Sequence, residues 1–247
     1  MADRSADAWY PTAAYLYVLH LDGPALAWEY LRRHSDYRRD WLRRHRQPDA
    51  AHAWGLRLLE DPALDARDAH PDWFPDPAGV LQLYPDADPP PTADGFAFWR
   101  IPGHKYLFHD GKRLVLTADW PGCCVRFALA PGLADGMAYL YAVRACASYR
   151  TITAELDMLA TVDAAVPAAA ARARPTSAAL LELHSLQALD AALAGASLRE
   201  TAIGLFGADA VAAGWHADGG LRSRVRRLVR RGQSLMRGGY RRLAQLD

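Results

Sequence analysis

The stretch at 219–246, GGLRSRVRRLVRRGQSLMRGGYRRLAQL, constrains this chain more than any other. Leu221, Val225, Leu228, Val229, Leu235 and Met236 recur at helical spacing and form one apolar stripe. Arg222, Arg224, Arg226, Arg227, Arg230, Arg231, Arg237, Arg241 and Arg242 fill most of the remaining surface, and no carboxylate interrupts them before Asp247. Arginine stays charged at physiological pH, and its planar fork matches phosphate oxygens. Such a helix docks on a core with one side and offers positive charge with the other. Solvated helices usually mix signs, gaining ~0.2–0.5 kcal/mol for each i,i+4 pair. This one repels itself, which points to an anionic partner, nucleic acid ahead of an acidic protein surface.

Charge is segregated along the chain. Of its 29 basic and 28 acidic residues, nine and one fall from Gly219 onward; the rest carries 20 and 27, a net of −7. A near-neutral total therefore hides a basic end on an acidic body. The 247 residues allow one large domain or two to three small ones, and 51% hydrophobic content is ample for packed cores. No apolar run approaches the ~18 residues that span a membrane. The N-terminal residues lack the pattern of a signal peptide. Cys123, Cys124 and Cys146 are odd in number and form no C-x-x-C pair. That fits a reducing compartment without structural zinc, so a cytoplasmic location is expected.

Residues 9–46 read as short helices. Asp22-Gly23-Pro24 is a break followed by a helix start, and Ser35 is placed to cap the next helix, which carries Tyr37 and Trp41 on one side. In AWEYLRRHSDYRRDWLRR, Arg32, Arg33, Arg38, Arg39, Arg43 and Arg44 are interleaved with Glu29, Asp36 and Asp40, so a salt-bridged surface around an aromatic core is expected. Residues 47–93 are punctuated by prolines, and beyond a short helix at 50–59 they read as extended connection. Residues 96–143 have strand character: 96–101, 105–108, 113–117, 123–129 and 138–143, separated by Asp110-Gly111, Pro121-Gly122 and Asp135-Gly136 turns, predict an antiparallel meander. A helix is expected over 145–162 and a linker over 164–175.

The final module starts at Thr176-Ser177. Ala179, Leu180, Leu183, Leu186, Leu189 and Leu193 form a helical apolar stripe ended by Gly195. Ser197-Leu-Arg-Glu200 is a capping box. Leu198, Ala202, Leu205 and Phe206 face inward, Gly207 closes that helix, and Trp215 is placed to plug the core. Helix, capped short helix, break and basic helix is the order of a helix-turn-helix domain. The connection at 207–219 is longer than the usual tight turn and has room for a helical turn of its own. On the last helix the wheel turns Ser223, Arg226, Arg227, Arg230 and Arg237 outward, with Arg222 and Arg224 flanking. The expected DNA-contacting set is Arg222, Ser223, Arg224, Arg226, Arg227, Arg230, Arg231 and Arg237. Within it, the N-terminal Arg222, Ser223, Arg226 and Arg227 are placed to reach base edges.

These residues carry a family resemblance. ASLRETAIGLFG followed by LRSRVRRLVRRGQSLMRGGYRRL resembles the C-terminal DNA-binding domain of proteobacterial RovC-type regulators. AWEYLRRHSDYRRDWLRR resembles the small transcriptional-regulator-like domain at the N-terminus of such proteins. The resemblance implies a DNA-binding transcription regulator that self-associates, an activator of type VI secretion or mobile-element genes. RNA polymerase or another regulator is an implied partner. The alternative is an antiactivator, a protein-interaction module using the same domain to bind another regulator.

No nucleotide-binding, hydrolase or metalloprotease motif is present. His104, His109 and Asp110 lie near one another without a shared face, and Glu182 and His184 point differently from one helix. No enzyme, catalytic residue, metal or cofactor is therefore expected. The fold expected is α+β, with a helical module at 8–60, a Pro-rich connection at 61–93, an antiparallel β-meander plus helix at 94–165, and a helix-turn-helix domain at 176–247.

Overall fold

The computed structural model describes residues 9, 11–46, 49–74, 80–101, 103–109, 113–120, 123–142, 176–216 and 219–246. The fold is α+β: an N-terminal helical region, a five-stranded mixed sheet in the middle, and C-terminal helices.

A 3-10 helix, Thr12–His20, leads into α1, Gly23–Leu31. Asp22 caps α1 by accepting from the Ala25 N–H at 2.8 Å, and Pro24 sits in the first turn, where no backbone donor is missed. Helix α2, Ser35–Leu42, is capped by His34 rather than the expected Ser35: the His34 Nδ1 accepts from the Asp36 N–H. A short α3, Ala50–Ala53, follows.

The sheet departs from a simple meander. Strands β2 (His104–His109), β3 (Leu114–Trp120) and β4 (Cys123–Leu129) are successive and antiparallel, as the turn signals predict. Two features differ. Residues 96–101 form no strand; a 3-10 turn, Phe98–Arg100, occupies them instead. In addition β1, Val80–Pro85, emerges from the stretch read as connection and pairs parallel with β4 and antiparallel with β5 (Tyr139–Ala142). The strand order is β2-β3-β4-β1-β5. VLQLYP is short and bounded by prolines, so its pattern resembles a linker; only the open side of β4 gives it a place. The helix expected at 145–162 lies outside the described residues.

One sheet face makes a small core: Leu81, Leu83, Leu116, Ala118, Val125, Phe127 and Leu129 pack under Phe96 and Ile101. The opposite face is tied to the helical region. From β4, the Arg126 Nη1 donates to the Asp22 Oδ2 at 2.6 Å, and Tyr106 of β2 stacks on His70 with ring centroids 3.6 Å apart.

The C-terminal helices are α4 (Ser177–Leu193), α5 (Leu198–Phe206), α6 (Ala208–Gly214) and α7 (Gly220–Ser234). A wide π-type turn at Leu235–Gly239, with Gly238 at φ 141°, ends the run, and α8 (Tyr240–Leu243) follows. These helices are not separate from the N-terminal ones. A single core joins Trp28, Tyr30, Leu31, Tyr37 and Trp73 to Leu183, Leu186 and Leu189 of α4 and to Met236, Tyr240 and Ala244 at the end of the chain. The Tyr240 hydroxyl donates to the Trp54 carbonyl.

A buried ionic network runs through this core. Glu29, fully buried on α1, accepts from Arg32 Nε at 2.8 Å and from Arg33 Nη1 at 2.5 Å. Its other oxygen accepts from the Ala66 N–H at 2.7 Å. Arg33 then reaches Asp190 of α4 with both edges of its fork, Nε to Oδ1 at 2.6 Å and Nη2 to Oδ2 at 2.8 Å, and the Tyr15 hydroxyl donates to the same Oδ2. Burial pushes the Asp190 carboxyl up, but the charge and hydrogen bonds of Arg33, with the Tyr15 hydroxyl, outweigh it and leave the pKa below its ordinary value. The stability this contributes is fully present above the unfolded carboxylate range and is lost as pH falls through the depressed folded value. Asp190→Ala, which strands Arg33 beside Glu29, should therefore cost about 3 kcal/mol at neutral pH. Urea unfolding at neutral and at acidic pH should show the deficit against wild type narrowing below about pH 4.

Candidate nucleic-acid interface

Helix α5 starts at a complete capping box: the Ser197 hydroxyl accepts from the Glu200 N–H at 3.2 Å, and the Glu200 carboxylate accepts from the Ser197 N–H at 2.7 Å. That backbone hydrogen bond holds the Glu200 carboxyl below its usual range. Gly207 ends α5 at φ 86° and also opens α6, so the long connection does contain a helix. The chain then turns sharply back, with the Gly219 N–H donating to the His216 carbonyl. A Cβ on Gly219 would stand 2.9 Å from the Gly214 carbonyl oxygen, so the turn into α7 admits only glycine without adjustment.

Two small apolar clusters seat α7. Leu228 packs with Ala188 and Leu205, and Val225 packs with Ala202 and Val211, with Trp215 and Leu221 partly buried beside them. Gly232 sets the depth: a Cβ there would lie 2.8 Å from the Leu189 Cβ and 2.8 Å from the Ser185 carbonyl oxygen, so α7 and α4 touch backbone to backbone.

The arginines divide by this seating. Ser223, Arg224, Arg226, Arg227, Arg230 and Arg237 are exposed, and Arg222 is half-buried. Arg226, Arg227, Arg230 and Arg237 make no ion pair with any described residue. The Arg224 guanidinium lies over the Phe206 ring at 4.8 Å from its centroid. Arg231 differs from the others: half-buried, it pairs with Glu182 of α4, whose second oxygen accepts from the Tyr30 hydroxyl of α1 at 2.8 Å. Its charge is thus neutralised inside the fold. No local pattern marks this, because Glu182 has no basic residue at helical spacing on α4 and its partner lies 49 positions away.

The N-terminal arginine cluster is divided, with Arg32 and Arg33 buried and Arg38, Arg39 and Arg43 exposed. Arg32 and Arg33 belong to the buried network, Arg39 pairs with Asp36, and Arg44 lies 4.0 Å over the Trp41 ring. Among the described residues no group of three or more His, Cys, Asp and Glu side chains could hold a metal ion. No helix among them is long and apolar enough to cross a membrane.

Comparison with known families defines a DNA-binding transcription regulator. Residues 141–245 match the model of a type VI secretion transcription factor DNA-binding domain, and residues 8–58 match a proteobacterial transcriptional regulator-like domain. Residues 78–125 match a domain of unknown function (DUF7011). The chain thus carries, in this order, the two end modules of a RovC-type regulator. No curated protein matches it.

Glu182 couples three helices, so its removal has two separable effects. Glu182→Ala should cost about 2 kcal/mol by leaving the Tyr30 hydroxyl unpaired in the core, whereas Tyr30→Phe, which keeps the Arg231 pair, should cost about 1 kcal/mol. Thermal unfolding of the two variants measures the difference.

Proposed function

We propose that the chain is a transcription activator of secretion or mobile-element genes that grips promoter DNA with α7 as its recognition helix. The observation that carries this reading is the exposed, acid-free arginine face of α7, which finds no internal counter-charge among the described residues. In helix-turn-helix domains the first turns of the recognition helix meet base edges and later residues meet the backbone. Here the first turns hold Arg222, Ser223, Arg226 and Arg227, a later turn holds Arg230, and Arg237 stands in the π-type turn that follows α7. Arg231, tied to Glu182, is a weaker contributor than its neighbours, and Arg224 stands at the flank. The chain performs no chemistry in this reading and needs no cofactor. It works in the cytoplasm and passes its effect to RNA polymerase or another regulator.

Self-association belongs to the same proposal. Strand β5 is an outer strand, and Leu140 is 54% exposed beside half-exposed Tyr84 and Tyr141. An apolar outer strand is a template for pairing with another chain. A single helix-turn-helix makes a limited interface, and pairing copies multiplies it.

Two experiments test the proposal. Gel shifts with the upstream region of the protein's own gene should fall steeply with salt, about −0.9 in log–log slope per phosphate neutralised. Arg230→Ala should weaken all duplexes alike, while Arg226→Ala or Arg227→Ala should cost ~1–3 kcal/mol on operator DNA and relax preference at one G·C position. No retardation at low salt would discard DNA binding in favour of the antiactivator reading. In sedimentation velocity, Leu140→Lys should weaken assembly of the full chain; an unchanged profile would move the interface elsewhere.

A further inference from the structure

A groove of about 890 Å³ opens beside the crossing of α4 and α7, lined by Leu180, Leu181 and His184 from α4 and by Arg224, Arg227 and Leu228 from α7. Its chemistry differs from that of the arginine face. Leu180 was expected in the inward stripe of α4, yet Leu180 and Leu181 are each 42% exposed and form an apolar floor. Arg224 and Arg227 stand over that floor from the α7 side, and both are exposed. Burial and the Arg224 charge together hold His184 below its ordinary pKa, which favours its neutral form, so the positive charge of the wall comes from Arg224 and Arg227. A phosphate backbone would engage the arginines and leave the leucines bare. An apolar helix would cover the leucines and leave the arginines unmatched. An amphipathic helix with leucines on one face and carboxylates along its border satisfies both.

We propose that this groove is the docking site for an acidic, leucine-faced helix of a partner protein, and that the partner and DNA exclude one another because Arg227 serves both. Size fits this occupant: the lining positions 177–184 on α4 span seven steps, about 10 Å at 1.5 Å per residue, two turns of a docked helix. The occupant is not a described helix of a second copy, because none of those presents exposed leucines bordered by carboxylates and free of arginine or histidine. Helix-in-groove recognition reads anchors at i, i+4 and i+7, which is the spacing such a floor can hold. The exclusion rests on the assignment of α7 to DNA; the docking itself does not.

The probe is a fluorescein-labelled peptide of about 15 residues with leucines at i, i+4, i+7 and i+11 and glutamates on both flanks, compared with a scrambled isomer of equal charge. Anisotropy with the full chain and no DNA should show binding of the amphipathic peptide and weaker binding of the isomer. Leu181→Asp, at an exposed site, should weaken it about tenfold or more while circular dichroism and DNA retardation stay unchanged. Arg224→Ala should also weaken it, and Arg230→Ala should not. Added peptide should raise the apparent Kd for duplex DNA. Equal binding of both isomers, no binding, or indifference to Leu181→Asp would overturn the docking site. Self-association abolished by Leu181→Asp would overturn it too, in favour of a second copy. Peptide binding without effect on DNA would overturn only the exclusion.

Discussion

The two-pronged contact of Arg33 with Asp190 is the interaction on which the rest of the structure depends. It joins the turn that follows α1, near one end of the chain, to α4, near the other, and it is made beside a core where neither charge can be left alone. Replacing both partners by apolar groups of matching shape would cost little, whereas removing one is expensive. The pair therefore specifies more than it stabilises: the fork fits one carboxylate in one orientation. With α4 held in that register, Glu182 falls between Tyr30 and Arg231, and Ser185 and Leu189 fall under Gly232. The position of the basic helix relative to the N-terminal region follows from these contacts.

The same register separates three settings among the described arginines. Arg32 and Arg33 are structural cations, desolvated and answered by Glu29 and Asp190. Arg231 and Arg126 are connectors, each pairing with one carboxylate across two elements. Arg226, Arg227 and Arg230 on the solvent side of α7, and Arg237 in the turn after it, are exposed where no described carboxylate reaches them. Residue type cannot separate these classes. Position on the helix separates the last from the others, and only the tertiary fold separates the first two.

What the sequence disclosed follows the range of the forces involved. Signals contained in one turn were readable: the capping box at Ser197 and Glu200, the break at Asp22-Gly23-Pro24, the stop at Gly207, and the apolar stripe of α7. The hairpins β2-β3 and β3-β4 were readable because their turns are short. Strand β1 was not, since its parallel partner β4 lies more than 40 residues away and nothing in VLQLYP announces that distance. The site shows the same division. The outward arginines follow from helical period alone, whereas the neutralisation of Arg231 by Glu182 and the exposure of Leu180 depend on where α4 meets α7. Leu180 is exposed because α4 is uncovered at its N-terminal end, where Ser177, Ala178 and Leu181 are exposed as well, whereas Leu183 is buried.

The shared core also limits how such a regulator can work. A DNA-binding module on a flexible tether searches orientations freely and gains affinity through effective concentration. Here α7 rests on α4, and α4 is locked to α1 by buried ion pairs and a continuous apolar core. The arginine face of α7 is therefore fixed with respect to the N-terminal helices, and through Arg126 and Asp22 it is linked to the sheet as well. In an assembly of the proposed kind, the spacing and angle between α7 helices would be set by the contacts between bodies, because α1, α4 and α7 share one packed core. A ligand acting on α7 alone would then control DNA binding most directly by covering its arginines.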